Sequence, residues 1–461
     1  MRSNCSASGV SGSSSLRLAV LALWVTGCGS SAEPPPGADV QAPRQTEDTT
    51  GLLGEDASPR AWVVAEDVDA GEKLLVYGPE GELFILSSSP PGKGQVRVER
   101  RLPDGVTSDW VRHDSVQITP YVEDGSLRFT VAEVDGQGNV FLAGFAKGAT
   151  DLLGNAAGDG QFVAKLDRYG QRLWGRFTRA APGTSFDIVG FATTPEGDLI
   201  AASLFNPDSL DSDTSPDVEI LLTRYNGATG EPLWDLRTGS ADDRTRVSGL
   251  DVDVDGNIYF TAGTYQLDIG TTRIDDVTCG CLKGFLVSLD GQGRYRWSHV
   301  YNSDPEEIYV APSPSLVVLG DQAIISGGGA GLIAYDRVTG AENWRTFQGG
   351  GWLERNDANE IVAISRGTSS PLGPTPRNTR FHVSRFSSEG TLRGVYHHQS
   401  SGIFSPYRIA AHPAGNAFAM SGTYQIPQAS FGNGLYGDPW QIGRFSMQVV
   451  AENWALPPGS P

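Results

Sequence analysis

The sequence predicts an all-β chain whose body is a single seven-bladed β-propeller of four-stranded antiparallel blades. Three observations lead there. Nowhere among the 461 residues do apolar positions hold three- and four-residue spacing through several turns, so long helices are not expected. The 58 glycines and 28 prolines suit a chain that turns often. Most informative is an internal repeat, the feature to seek before any residue-level reading: a turn-and-strand signature recurs seven times, with tryptophan returning in register.

The signature is a tight turn bearing Gly, Asn or Asp, followed by β-forming residues. It occurs at 79–86 (PEGELFIL), 135–144 (DGQGNVFLAG), 195–203 (PEGDLIAAS), 255–263 (DGNIYFTAG), 320–328 (GDQAIISGG), 357–365 (DANEIVAIS) and 413–422 (PAGNAFAMSG). A variable loop and a second hairpin follow each copy, as in VAKLDRYGQRLW or LIAYDRVTGAENW. Trp110, Trp174, Trp234, Trp297, Trp344 and Trp454 take the same slot at the end of six hairpins, and the sixth unit carries Val395 near it. With a strand before each turn, such as SGLDVDV at 248–254, every unit holds four short strands, the content of a propeller blade. One blade alone would bury a single face, so neighbours must stack, and the tryptophans are expected to pack between them as core. Residues 60–69 (RAWVVAEDVD) are available to complete the last blade.

The propeller is assigned to 59–456, with a short tail at 457–461 and a different kind of sequence ahead of it. Residues 1–27 have a signal-peptide layout: Arg2 and Arg17, then the apolar run Leu18 to Val25. That run is much shorter than the roughly 20 residues a spanning helix needs. Val25-Thr26-Gly27-Cys28 resembles the bacterial lipobox. The resemblance implies a diacylglycerol thioether on Cys28, cleavage before it and acylation of the new terminus, enough chains to anchor the protein to a membrane. Residues 28–58 are rich in Ser, Pro, Gly and acids and are expected to form a flexible linker. Gly29, in place of an aspartate that resembles an inner-membrane retention signal, favours the outer membrane, at its periplasmic or cell-surface face.

Units 127–178, 246–301 and 406–454 resemble the SBBP-type bacterial β-propeller repeat, with its D-x-x-GN turn, a small mid-loop element (LLG, DIG, SFG) and a hairpin ending in Trp. Two others are similar to the PQQ-like repeat: Ala334, Asp336, Thr339, Gly340 and Trp344 match its A-x-D-x-x-T-G-x-x-x-W pattern, and Asn226, Thr229, Gly230 and Trp234 match it in part. These resemblances imply a fold and not an activity.

The function expected is therefore a non-catalytic binding or scaffolding module, tethered at the cell envelope and needing no cofactor, with a protein or glycan ligand at a propeller face. A formal charge of −19 offers no basic field to a nucleic acid. Loops 145–160, 204–217, 264–283 and 366–380 are where a ligand would be met. A quinoprotein is disfavoured because the chain has Cys279-Gly-Cys281 where the resemblance would ask for adjacent cysteines; that pair is instead a candidate loop disulfide. None of the six histidines falls in a metal-type pattern, and no nucleophile elbow or phosphate loop occurs. Asp251, Asp253 and Asp255 in DVDVDGN resemble the start of a calcium loop, but position twelve is Ala262 and not a bidentate acid. Alternation with Leu250, Val252 and Val254 gives the same letters a plainer meaning, a strand entering a turn. Two rival functions follow. One is an outer-membrane assembly scaffold resembling the PQQ-repeat lipoprotein of the β-barrel insertion machinery, for which eight blades are expected. The other is a propeller hydrolase, lyase or quinoprotein, for which titratable groups clustered in the central channel are expected.

Overall fold

The computed structural model describes residues 60–66 and 73–450, except 89–93, 106, 116–125, 148–150, 153–154, 157–158, 180–184, 207–217, 243–244, 265–266, 275–282, 302–314, 328–330, 347–349, 367–368, 371–372, 375–378, 400–402 and 426–441. Cys28, Cys279, Cys281, Trp454 and the segments assigned to signal peptide, linker and tail lie outside the described residues.

Seven antiparallel four-stranded sheets make up the fold. The first runs Lys73–Tyr77, Leu83–Ser88, Gln95–Arg101, Ser108–Ser115; the second Ser126–Val134, Val140–Lys147, Gly160–Leu166, Arg172–Arg179; the third Ser185–Thr193, Leu199–Asn206, Val218–Tyr225, Pro232–Asp242. The fourth runs Arg246–Val252, Ile258–Thr264, Lys283–Leu289, Tyr295–Tyr301; the fifth Leu316–Leu319, Gln322–Gly327, Gly331–Asp336, Glu342–Thr346; the sixth Trp352–Arg355, Glu360–Arg366, Thr379–Ser387, Leu392–Gln399. The seventh takes Ile403–Ala411, Ala417–Gln425 and Ile442–Val450 from the end of the chain, and its outer strand, Arg60–Glu66, from the beginning. First strands pack against first strands of both neighbouring sheets in cyclic order, the seventh against the first, so the ring is closed and these strands line its channel. Closure is reinforced where Ser421 Oγ donates to Lys73 O at 2.9 Å and Gln448 Nε2 to Tyr77 OH at 2.8 Å.

Apolar clusters fill the gaps between successive sheets. Phe84, Leu86, Phe129 and Phe162 lie between the first and second, Tyr259, Leu286, Val318 and Ile333 between the fourth and fifth, and Ile85, Ala410 and Ala419 across the closure. Four first strands carry a bulge at the same height, at Thr130, Val189, Ser248 and Tyr407, where one residue is skipped in the pairing with the second strand. A bulge bends its strand and increases its twist. Repeated around the ring, it curves the innermost strands about the channel.

The tryptophans occupy one layer. Each indole N–H donates to a backbone carbonyl in the third-to-fourth-strand turn of the next sheet: Trp110 to Arg168 (2.9 Å), Trp174 to Gly227 (3.1 Å), Trp234 to Gly291 (3.2 Å), Trp297 to Arg337 (3.2 Å) and Trp344 to Ser388 (3.0 Å). A glycine with positive φ in the same turn lies flat against the ring, which is why these turns read D-R-Y-G, N-G-A-T-G and D-R-V-T-G. At Gly230 (φ +71°) a Cβ would stand 2.6 Å from the Trp174 ring, so alanine meets both backbone strain and a clash. Gly230→Ala is expected to lower the urea midpoint with an unchanged slope, by about 1–3 kcal/mol.

The seventh unit departs from the pattern expected from sequence. Its last described segment is the single strand Ile442–Val450, paired on both sides where a hairpin turn was expected, and residues from the 60–69 segment complete the sheet as expected. Register identifies the substitute. Third-strand residues Arg100, Lys165, Arg224, Ser288 and Ala334 face Trp110, Trp174, Trp234, Trp297 and Trp344 across the sheet, and the corresponding Gln448 faces Trp62. The closing strand thus supplies the seventh sheet's tryptophan from the other end of the chain. In the sixth sheet the slot opposite Arg385 is Gly394, and Tyr396 packs edge-on to Phe418 of the seventh instead.

Candidate functional site

Antiparallel order sorts the connections onto two faces. Turns joining first to second and third to fourth strands emerge on one face and are short. The longer connections emerge on the other, including all four loops expected from sequence to meet a ligand, each of which joins a second to a third strand. Within them the structure finds short ribbons, Asp151–Leu152 with Asn155–Ala156, Leu267–Ile269 with Thr272–Ile274, and Ser369–Ser370 with Gly373–Pro374.

A cavity formed by described residues lies elsewhere, at the tight-turn end of the channel. A space of about 400 Å³ is bounded by the ends of the first strands and the turns after them, with Tyr77, Glu133, Thr193, Glu354, Arg355 and Arg408 among its walls. Glu133, Asp251 and Glu354 sit at one height: each is the next-to-last paired residue of its first strand, in the second, fourth and sixth sheets. The positions in the same cross-sheet register in the first, third, fifth and seventh sheets are Val76, Ala192, Val317 and Ala410, the tighter turn of the fifth sheet leaving two paired residues after Val317 instead of one. The channel mouth therefore carries carboxyl groups on alternate sheets.

Their surroundings differ. Asp251 is fully engaged: Oδ2 accepts from Val318 N (2.7 Å) and Arg355 Nη1 (3.0 Å), and Oδ1 from Val252 N (2.8 Å). Arg355 also donates to Val318 O at 2.5 Å, tying the sixth sheet to the fifth and fourth. On the opposite side Arg408 Nη2 donates to Thr130 O (3.2 Å), joining the seventh sheet to the second past the first. The carboxyl groups of Glu133 and Glu354 have no hydrogen-bond partner among the described residues. Enclosure by protein pushes both carboxyls up to about 8; negative Asp251 adds to this for Glu133, and Glu133 and Asp251 for Glu354, while Arg355 opposes it in both. Burial likewise raises Asp251 against the pull of Arg355. Both shifts favour the protonated form of the glutamates, beside an Asp–Arg pair.

The carboxylates of Asp251, Asp253 and Asp255, whose spacing resembles the start of a calcium loop, are not brought together. Asp251 turns into the channel, whereas Asp253 and Asp255 face a cation, since Arg337 Nη1 donates to Asp253 Oδ2 (2.9 Å) and Asp255 Oδ2 (2.8 Å). Asp253 also accepts from Asp255 N, Asn257 N, Asn257 Nδ2 and Tyr259 OH at 2.8–2.9 Å. Burial opposes ionisation, but these donors hold the carboxyl below its usual range. Among the described residues no three His, Cys, Asp or Glu side chains converge as a cation site. The same turn is built in the second sheet, where Asp135 accepts from Gln137 N, Asn139 N and Lys165 Nζ (3.0 Å). Glu82–Arg100 (3.4 Å), Asp198–Arg224 (2.8 Å) and Glu360–Arg385 (3.6 Å) repeat this pairing of a turn-side acid with a third-strand base. The D-x-D-G letters are structural.

Sequence reasoning missed Glu133 and Glu354. The available signal was an acid two residues before the turn's Asp or Asn in alternate units: E-V-D at 133–135, D-V-D at 251–253 and E-R-N at 354–356.

No protein-family model matches the chain, and no curated protein does. Solved structures are similar to the chain at low identity. BamB from Moraxella catarrhalis is 13% identical over 83% of this chain and 100% of that one, with a TM-score of 0.36. A chain of a mitotic checkpoint complex is 12% identical over 86% and 98%, TM-score 0.45. A protein of unknown function from Dyadobacter fermentans DSM 18053 is 12% identical over 85% and 99%, TM-score 0.41.

Proposed function

We propose that the chain is a lipid-tethered protein of the cell envelope, anchored through Cys28 at the outer membrane, whose propeller is a non-catalytic binding module. The observation that carries the binding role is the channel mouth. A 400 Å³ space lined by protonatable acids and fixed arginines is a concave surface with few, convergent polar groups, the usual form of a recognition site. A protein or glycan segment rich in hydrogen-bonding groups suits the mixed Glu, Asp and Arg lining. The SBBP-type and PQQ-like resemblances are compatible with this role. Seven sheets count against the eight-bladed barrel-insertion scaffold.

One observation favours a second reading, an enzyme. Glu133 and Glu354 would be poised near neutral pH as proton donors or acceptors beside the channel, the arrangement a propeller hydrolase or lyase would use.

Tethering is tested by metabolic labelling with a palmitate analogue: the wild-type chain should take up label and sediment with membranes, and Cys28→Ser should do neither. Equal labelling of both chains overturns the anchor. For the binding role, envelope pull-downs and a glycan array are run with wild type and Glu354→Gln. A ligand held by wild type and weakened tenfold or more by the variant supports the channel site; ligands bound equally by both overturn it. Hydrolysis or elimination of a bound glycan, lost in Glu354→Gln, would establish the enzyme reading.

A further inference from the structure

A second group of polar side chains lies away from the channel, inside the sixth sheet. His382 on the third strand and His397 on the fourth are direct cross-strand partners, so both side chains leave the sheet on the same face. Their ring centroids are 6.2 Å apart and the planes are inclined by 48°. His382 is 1% exposed and His397 is half-buried. In both rings Nδ1 is shielded from solvent without a hydrogen-bond partner. Ser384, two residues from His382 on the same face and fully buried, also has an unpartnered Oγ. Ser365, paired with His382 on the second strand, is satisfied by donating to Gly350 O at 2.7 Å.

A buried polar atom without a partner costs about 1–3 kcal/mol, and here three such atoms share one face of one sheet. Their chemistry is of one kind. A neutral imidazole has a lone pair that must meet a proton donor or a Lewis acid, and no donor is supplied. Two imidazoles bound to one ion at about 2.0–2.1 Å per nitrogen have ring centres about 5 Å apart at a tetrahedral angle and about 6 Å apart when they approach from nearly opposite sides, so this pair needs to close by about 1 Å for the former and stands near the latter. Burial, with the neighbouring His397 as a smaller contribution, brings His382 down to about 4, and burial lowers His397 as well. Both rings are thus unprotonated and able to ligate at neutral pH.

We propose that His382 and His397 form a binding site for one divalent transition-metal ion of the class imidazole prefers, Zn²⁺, Cu²⁺ or Ni²⁺. No third His, Cys, Asp or Glu joins them among the described residues, so water completes the coordination. The ion would clip the third and outer strands together in the one sheet whose tryptophan slot holds glycine. The hard cations calcium and magnesium, which take oxygen ligands, would be excluded.

The test uses the untagged full chain, stripped with chelator and titrated with Zn²⁺ by calorimetry at pH 7.5, beside His397→Gln and His382→Gln. One ion per chain at micromolar affinity is expected, at least tenfold weaker in His397→Gln, a half-exposed position where the fold should survive. Bound Zn²⁺ should raise the melting temperature of wild type but not of His397→Gln, and Ca²⁺ should raise neither. Should His382→Gln fail to fold, His397→Gln alone decides. Equal Zn²⁺ affinity in wild type and His397→Gln, or no Zn²⁺ binding up to millimolar concentration, overturns the site.

Discussion

Replacing Glu133 and Glu354 together with glutamine is expected to stabilise the propeller by several kcal/mol at pH 8–9 and to change it little at pH 4. Both carboxyls titrate near 8 in the folded chain, against 4.5 for an unhindered glutamate. A folded-state pKa above the unfolded one means that the folded protein holds protons the unfolded chain has released. The stabilisation this represents is complete below about pH 4.5 and is lost as pH rises through 8. Every tenfold rise in proton affinity on folding corresponds to about 1.4 kcal/mol, so one of these groups could account for up to ~5 kcal/mol, and the mutual repulsion of the two makes their effects less than additive. Glutamine has the size of the protonated acid and no charge to lose. Urea unfolding of wild type and the double variant at pH 4, 7 and 9 checks this: the curves should coincide in acid and separate as pH rises. A double variant less stable than wild type at pH 9 would show that the mouth accommodates both carboxylates as anions. A gain in stability accompanied by loss of ligand would fit the general pattern in which a binding site is kept at a cost to the fold.

The second large effect concerns the tryptophan layer. Trp174 is 8% exposed, packs at 5.9 Å from the Phe141 ring and donates to Gly227 O of the next sheet. Trp174→Ala removes the packing and one of the two donors to that carbonyl, leaving Lys165 Nζ at 3.1 Å, and is expected to destabilise by about 3–5 kcal/mol, chiefly through lost packing. Trp174→Phe should recover the larger part, since it restores ring contact without the hydrogen bond. A loss below ~1 kcal/mol for the alanine variant would mean that the indole is not core between sheets.

Why the ring was legible in sequence, and the channel mouth was not, has a physical basis. A tryptophan, a positive-φ glycine and a turn-side acid each meet the same neighbours in successive sheets, so the same letters return at each unit. Trp110, Trp174, Trp234, Trp297 and Trp344 could be aligned on that ground alone. Trp62 escaped notice because the seventh sheet borrows its outer strand from the start of the chain, where no turn precedes the tryptophan. Residue-level chemistry at the channel depends on which alternate positions of seven distant strands share a height. Glu133, Asp251 and Glu354 are 103 to 221 residues apart, and each alone looks like an ordinary acid ahead of a turn. The DVDVDGN run was legible as a strand entering a turn, the reading that its alternation favours over a calcium loop, while Arg337 of the next sheet, which no local pattern announces, supplies the positive charge beside Asp253 and Asp255.

The borrowed strand also sets the order in which the molecule can be made. Ribosomes deliver Arg60–Glu66 first and Ile442–Val450 last among the described strands, so the earliest piece waits unpaired while some 380 residues follow. Until that final partner arrives the nascent chain presents an open row of amide groups, the kind of template on which strangers can add. Its biogenesis should accordingly lean on holding factors more than its mature stability would suggest, and clipping either extremity should release the same latch.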